Sequence, residues 1–298
     1  MQGKIIKGIA GAYYVYVPGA GVIECTAKGN FRYQKIKPLV GDNVEVQLKN
    51  DNLVTGNIEK ILPRNNELIR PAVSNIDQAL IVFAITDPEP NLNLLDRLLV
   101  LMKLQNVECT ICFSKIDLVT TDEENYLKEI YQGSGSDVIF ISNFEDENNS
   151  SLDEVYNLLK GKTTVLAGPS GVGKSTLLNR LVPNANMETG AISQKIKRGK
   201  HTTRHSEIFH ISDDTYILDT PGFTSLYLNE LDKDELKLYY PEFAIDSDSG
   251  SMCKFDDCSH INEPACMIKA AVDSGKISPV RYQNYKNIYD ELKAIRRY

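Results

Sequence analysis

The run Gly168-Pro169-Ser170-Gly171-Val172-Gly173-Lys174-Ser175-Thr176 constrains this chain more than any other stretch, because it fits the phosphate-loop pattern G-x-x-x-x-G-K-S/T without a mismatch. The pattern carries weight only between a buried strand and a helix. Lys162 to Ala167 reads as the strand and Ser175 to Leu181 as the helix. Glycines let successive backbone N–H groups turn inward onto phosphate oxygens, at a helix N-terminus that already carries partial positive charge. Lys174 is then placed for the β- and γ-phosphates, and Ser175 for magnesium.

A second constraint lies near the C-terminus, in Cys253-x4-Cys258-x-His260-x5-Cys266. Three thiols and one imidazole this close make a closed tetrahedral set suited to one structural zinc ion, with no open position for catalysis. The other cysteines, Cys25, Cys109 and Cys112, sit in apolar runs and read as small buried residues of a reducing compartment. No apolar run reaches the roughly 18 residues of a membrane span, and Met1 to Lys7 lacks the apolar core of a secretion signal. A cytoplasmic monomer with no membrane partner is expected.

The net charge of −7 argues against a simple nucleic-acid binder, but the bases are clustered. Residues 1–37 hold Lys4, Lys7, Lys28, Arg32, Lys35 and Lys37 against Glu24 alone. Between Ala191 and Ser206 come Lys195, Lys197, Arg198, Lys200 and Arg204 with no acid. The C-terminus adds Arg281, Lys286, Lys293, Arg296 and Arg297. Local basic faces of this size suit RNA phosphates even on an acidic protein.

The first 68 residues alternate as short strands (Tyr14–Val17, Val22–Cys25, Val44–Leu48, Gly56–Ile61) between turn residues. This is a small all-β unit, an OB-type or an SH3-like barrel. Beyond Pro63 strands alternate with helices: strand Gln78–Ile85, helix Leu94–Met102, strand Thr110–Phe113, helix Asp122–Tyr131, strand Asp137–Ile141. That order predicts a doubly wound α/β domain with its ligand at the carboxyl ends of the strands. Three parts are expected: residues 1–68, 69–225 and 226–298.

Further motifs fall on those strand ends. Ser114-Lys115-Ile116-Asp117 supplies a carboxylate for the two N–H groups of guanine and a lysine stem for the base face. Ser142-Asn143 ends the next strand, where a second guanine-contacting loop falls. Thr202 lies in the basic segment, and Tyr216 to Gly222 gives a strand ending in Asp219-Thr220-Pro221-Gly222. Asp219 suits magnesium held through water, and the Gly222 N–H suits a γ-phosphate.

This is the G-protein motif set with the base-reading motif ahead of the phosphate loop, an order that looks circularly permuted. With a β-barrel in front and a cysteine cluster behind, the chain resembles the RsgA family of small-subunit-dependent bacterial GTPases over essentially its whole length. Gly199-Lys200-His201-Thr202-Thr203-Arg204, Asp219-Thr220-Pro221-Gly222-Phe223 and Cys253 to Cys266 carry the resemblance. It implies GTP hydrolysis with magnesium, the same four zinc ligands, and the small ribosomal subunit with its rRNA as partner. Ser114 stands where the family usually has Asn, and Asn143 where Ala is usual.

Hydrolysis needs a group that orients water, and many G proteins place a glutamine directly after Asp-x-x-Gly. Phe223 occupies that position here, so intrinsic turnover should be slow until a partner completes the site. His201, beside the magnesium-ligating candidate Thr202, is the polar group available, with His205 its rival. An RNA- or phosphate-contacting role for His201 is the alternative. The helix expected over Tyr282–Tyr298 either lies on rRNA or covers the zinc module. Two function classes follow: a subunit-activated GTPase, and a nucleotide-gated RNA-binding module whose hydrolysis is incidental.

Overall fold

The computed structural model describes residues 1–29, 31, 36–49, 54–69, 71–142, 150–182, 206–219, 228, 231–244, 253–255 and 257–295. In chain order they form β1 (Gln2–Ile9), β2 (Ala12–Val17), β3 (Gly21–Ala27), β4 (Asn43–Leu48), β5 (Thr55–Ile61), β6 (Glu67–Leu68), β7 (Val73–Ser74) and β8 (Gln78–Ala84). Then come α1 (Leu92–Leu104), β9 (Glu108–Ser114), α2 (Thr121–Tyr131), β10 (Asp137–Ile141), α3 (Ser150–Leu159), β11 (Thr163–Ala167) and α4 (Lys174–Leu181). The series ends with β12 (Glu207–Ser212), β13 (Thr215–Asp219), α5 (Met267–Asp273) and α6 (Pro279–Ala294). Two compact units result, residues 1–80 with 145–223 and residues 81–144 with 224–298.

The first unit begins with the barrel. Its strands pair in the circuit β1-β2-β3-β5-β4 and back to β1, with β3 and β5 parallel. That closure decides for the OB-type barrel. Inward positions alternate along the strands, and Ile5, Val15, Val17, Ile23, Cys25, Val44, Val46 and Ile58 fill the interior. The strand that the sequence pattern hides is β1. Its alternation is blurred by Lys4, which is only 8% exposed, and by Gly3, where a Cβ would lie 2.4 Å from the Tyr16 carbonyl oxygen. Asp42, fully buried, ties the barrel to the segment that follows: it accepts from Leu39 N at 2.8 Å, Arg64 Nε at 2.7 Å and Ser74 Oγ at 2.6 Å.

The same unit holds β11 and β13, which are parallel. β12 runs antiparallel to β13 on one side and to β1 on the other. β11 is buried at all five positions, as expected of a strand covered on both faces. β12 was not legible in the sequence, since Glu207, His210 and Ser212 interrupt its apolar pattern.

In the second unit the strand order is β10-β9-β8, with β9 and β10 parallel. α1 starts at Asn91, whose side chain accepts from Leu94 N, and buries Leu95, Leu98, Leu99 and Met102. α2 starts with a capping box between Thr120 and Glu123.

α6 buries Tyr282, Tyr285, Ile288, Tyr289 and Leu292 in one cluster with Cys258 and Cys266, so it covers the cysteine module. Arg281 corrects the count of surface bases. It is 2% exposed, donating to Asp96 Oδ1 on α1 at 2.5 Å and to Glu242 Oε1 at 2.8 Å. Lys4 leaves the barrel's basic set for the same reason, while Lys7 and Lys28 pair with Glu207 and Glu59.

Candidate nucleotide and metal sites

The phosphate loop joins β11 to α4 as the sequence requires. Gly171 and Gly173 have φ of +86° and +93°, a backbone region closed to most side chains, which lets the chain double back toward the start of the helix. Val172 is buried and anchors the loop, whereas Ser170 and Gly171 are exposed. Pro169, Ser175 and Thr176 are half-buried. Lys174 Nζ donates to Gly168 O at 2.9 Å and to Pro169 O at 2.5 Å, so its charge lies over the loop rather than out in solvent.

Asp219 ends β13 and is the register partner of Leu166, two residues before the loop. Ser175 and Asp219 offer a hydroxyl and a carboxylate oxygen. Hard oxygen donors of this kind fit magnesium, which keeps several waters and takes few protein ligands. Gly222, Thr202, His201, His205 and Asn143 lie outside the described residues, as does the basic segment 195–204.

The candidate base-reading motif, Ser114 to Asp117, stands at the carboxyl end of β9. Lys115 has φ of +64°, which turns the chain sharply after the strand, and its ammonium donates to Asp87 O. Asp117 sits in a short 3₁₀ turn, Ile116–Leu118. The hydroxyl of Ser142, at the end of the neighbouring β10, donates to Asp117 Oδ1 at 2.9 Å. The structure therefore brings Asp117 and Ser142 together and gives Ser142 a task for which its side chain matters. Ser114 is fully buried, with its hydroxyl 3.4 Å from Phe83 O.

The four cysteine-module ligands converge. Their ligand atoms all lie within 4.8 Å of one another. Tetrahedral zinc with bonds of ~2.3 Å to sulfur and ~2.0 Å to nitrogen spaces its ligand atoms roughly 3.5–3.8 Å apart. Here His260 Nδ1 is 3.5 Å from Cys266 Sγ and 3.6 Å from Cys253 Sγ, and the two sulfurs are 4.0 Å apart. Nδ1 is thus the nitrogen turned to the metal position. Burial pushes the Cys258 thiol up to about 12 and, with Lys237 nearby, holds the His260 imidazole down to about 4. A neutral imidazole is ready to ligate, and a thiol so disfavoured as a free anion needs a cation to deprotonate.

The shell around these ligands was not visible in the sequence. Tyr282 on α6 donates to His260 O at 2.6 Å and fixes a residue whose φ is +61°. Lys237 Nζ donates to Cys258 O at 3.1 Å. Glu263 accepts from Ser259 N at 2.8 Å, Ser259 Oγ at 2.6 Å, and Ile261 N and Asn262 N at 3.0 Å each. Burial alone would raise the Glu263 carboxyl, but the Ser259 hydroxyl and these N–H groups bring it down to about 2. The spacing Ser259-x3-Glu263 is the signal that could have announced the clamp.

Comparison with known proteins places these features in a family. The RsgA GTPase model matches residues 61–229, and the RsgA N-terminal domain model matches residues 2–55. A protein of Agathobacter rectalis named small ribosomal subunit biogenesis GTPase RsgA is 54% identical, with the whole of both chains covered. A protein of Alkaliphilus metalliredigens with the same name is 45% identical over 100% of this chain and 99% of its own. Among solved structures, YjeQ from Thermotoga maritima superposes with a TM-score of 0.81 at 33% identity, over 99% of each chain. YloQ, a circularly permuted GTPase, gives a TM-score of 0.77 at 38% identity, over 100% of this chain and 96% of its own. A family model over more than half of the sequence and relatives matched from end to end give one conclusion: the chain belongs to the RsgA family of circularly permuted GTPases.

Proposed function

We propose that this GTPase acts in late maturation of the small ribosomal subunit, binding the subunit through its rRNA, releasing an assembly factor and hydrolysing GTP faster when bound. The observation that carries the reading is the end-to-end identity of 54% to a relative named for small ribosomal subunit biogenesis. The protein is cytoplasmic and monomeric in this reading. No helix among the described residues is long and apolar enough to cross a membrane.

Roles divide over three domains, 1–68, 69–225 and 226–298. Gly168, Pro169, Ser170, Gly171, Val172, Gly173 and Thr176 shape the phosphate cradle, Lys174 meets the β- and γ-phosphates, and Lys115 and Asp117 read guanine. Ser114, Ser142 and Asn143 complete the base loops, and Gly222 meets the γ-phosphate. Ser175, Thr202 and Asp219 hold magnesium, which when bound neutralises charge developing on the transferred phosphoryl group. His201 orients the water. Cys253, Cys258, His260 and Cys266 hold one zinc ion that keeps the C-terminal module folded. GTP turnover measured with and without purified small subunits tests the whole: stimulation supports it. Turnover unchanged by subunits that nevertheless bind favours the RNA-binding module with incidental hydrolysis.

A further inference from the structure

One row of residues crosses four strands of the first unit. Lys7 on β1 is the register partner of Glu207 on β12, Glu207 is the partner of Asp219 on β13, and Asp219 is the partner of Leu166 on β11. Residues directly opposite in antiparallel strands put their side chains on one face, with Cβ atoms ~4.5–5.5 Å apart. The Lys7 Nζ to Glu207 Oε1 distance of 2.9 Å shows this for the first pair. Glu207 and Asp219 are therefore neighbouring carboxylates on one face of the β12-β13 hairpin, and like charges so placed repel. Lys7 offsets one of them.

We infer that Glu207 is a positioning residue for the magnesium–nucleotide complex: it adds negative charge beside Asp219, and Lys7 sets how much of that charge is felt. A phosphate that takes Lys7 uncovers Glu207 and raises the affinity of the site for magnesium. The inference rests on the reading of the barrel as a face that meets rRNA. Its physics is that of competition. The Lys7 and Glu207 side chains are 32% and 39% exposed, and an ion pair that open to water is weak. An RNA phosphate, whose binding to lysine releases condensed counterions, can displace a single carboxylate. A unit charge uncovered within several ångströms of a divalent ion, partly screened by water and salt, changes its affinity about threefold to tenfold. The barrel thereby reports its occupancy to the magnesium site through two adjacent cross-strand pairs.

The test is a double-mutant cycle on the full chain without subunits, reading the magnesium dependence of the affinity for a fluorescent GDP analogue, with affinity in EDTA as the control. Lys7→Gln should lower the half-saturating magnesium concentration about threefold to tenfold, and Glu207→Gln should raise it by a similar factor. In the double variant the two opposite charge changes should largely cancel, returning the magnesium dependence toward wild type. The exchange Lys7→Glu with Glu207→Lys separates charge from scaffolding. It rebuilds the ion pair but puts a cation beside Asp219, so a structural latch would restore wild-type magnesium dependence, whereas the inference requires weaker magnesium binding than wild type. Single variants with unchanged magnesium dependence, or restoration by the exchange, would overturn it. A wild-type chain that binds no subunits removes the small-subunit reading instead and leaves the cycle in the free protein intact.

Discussion

Ser142 donates its hydroxyl to Asp117 Oδ1 at 2.9 Å, linking the ends of two adjacent parallel strands. The bond fixes one oxygen of the carboxylate proposed to read guanine and leaves the group's orientation less free to vary. Ser142→Ala should therefore weaken GDP binding about 2- to 10-fold, the worth of one such bond, while guanine stays preferred over adenine. Asp117→Asn should instead exchange guanine for xanthine, since an amide no longer accepts from both N–H groups. Titrations with fluorescent GDP and XDP distinguish the two, and a Ser142→Ala protein with unchanged GDP affinity would deprive the serine of this role.

The metal module is anchored at both ends of its chemistry. Its ligands sit on Cys253 to Cys266, but α6 is held to α1 by Arg281 and Asn284 on Asp96. Cys258→Ser should release zinc and expose residues 253–268 to hydrogen exchange, while amides of α6 between Tyr285 and Leu292 remain protected. Metal analysis and exchange mass spectrometry read the two parts separately. Uniform loss of protection through α6 would show that zinc, not the α1 contact, holds that helix.

The Arg281 cluster makes a strong demand on stability. One guanidinium serves both Asp96 and Glu242, and its removal leaves two buried carboxylates without their cation. Arg281→Ala should cost about 3–5 kcal/mol in urea denaturation, several times the effect of Arg97→Ala, whose partner Glu291 is 45% exposed. Similar losses for both variants would mean that burial does not set the strength of these pairs.

What the sequence made legible follows the range of the interactions. The phosphate loop, the Lys115 to Asp117 turn and the metal spacing are local, and their residue types name their chemistry. Barrel closure is not local, since β1 must pair with β4 some forty residues on, and β1 hides its pattern behind a buried lysine. Arg281 read as one more C-terminal base because its partner Asp96 lies 185 residues earlier. Glu263 is an acid, a type usually left to solvent, yet it gathers four donors. In each case the residue type suggested solvent, and tertiary partners decided otherwise.

Lys4 gives a dependence on pH with a definite sign. Burial lowers its pKa below 10.5, opposed by Asp77, Asp214 and Asp42. Between the lowered value and 10.5 the unfolded chain binds the proton that the folded chain has lost, so stability rises with pH across that window and the penalty is complete below it. Lys4→Met should then be more stable than wild type at pH 7, by on the order of 1 kcal/mol, with the gap narrowing toward pH 10. Denaturation midpoints at the two pH values check this. A gap that widens with pH would mean that the Gly41 carbonyl and the Tyr216 ring hold the ammonium better than burial penalises it.

The last prediction concerns the gate. Gly222, proposed to meet the γ-phosphate, is followed in the chain by Phe223 to Tyr240 and then by the cysteine module, while the basic segment Lys195 to Arg204 leads into β12. In GTPases, switch segments are ordered by γ-phosphate and magnesium and released on hydrolysis, and that role is proposed for these two. Coupling between two binding sites is reciprocal, so a subunit that favours the GTP state must itself be bound more tightly in the presence of GTP. A non-hydrolysable GTP analogue should tighten subunit binding relative to GDP by the factor with which subunits tighten the analogue, typically about 5- to 150-fold. Sedimentation of labelled protein with small subunits gives one factor and fluorescent-nucleotide titration the other. Equal subunit affinities with analogue and GDP would mean that nucleotide does not gate release, and hydrolysis would then have to act on the subunit by a route other than dissociation.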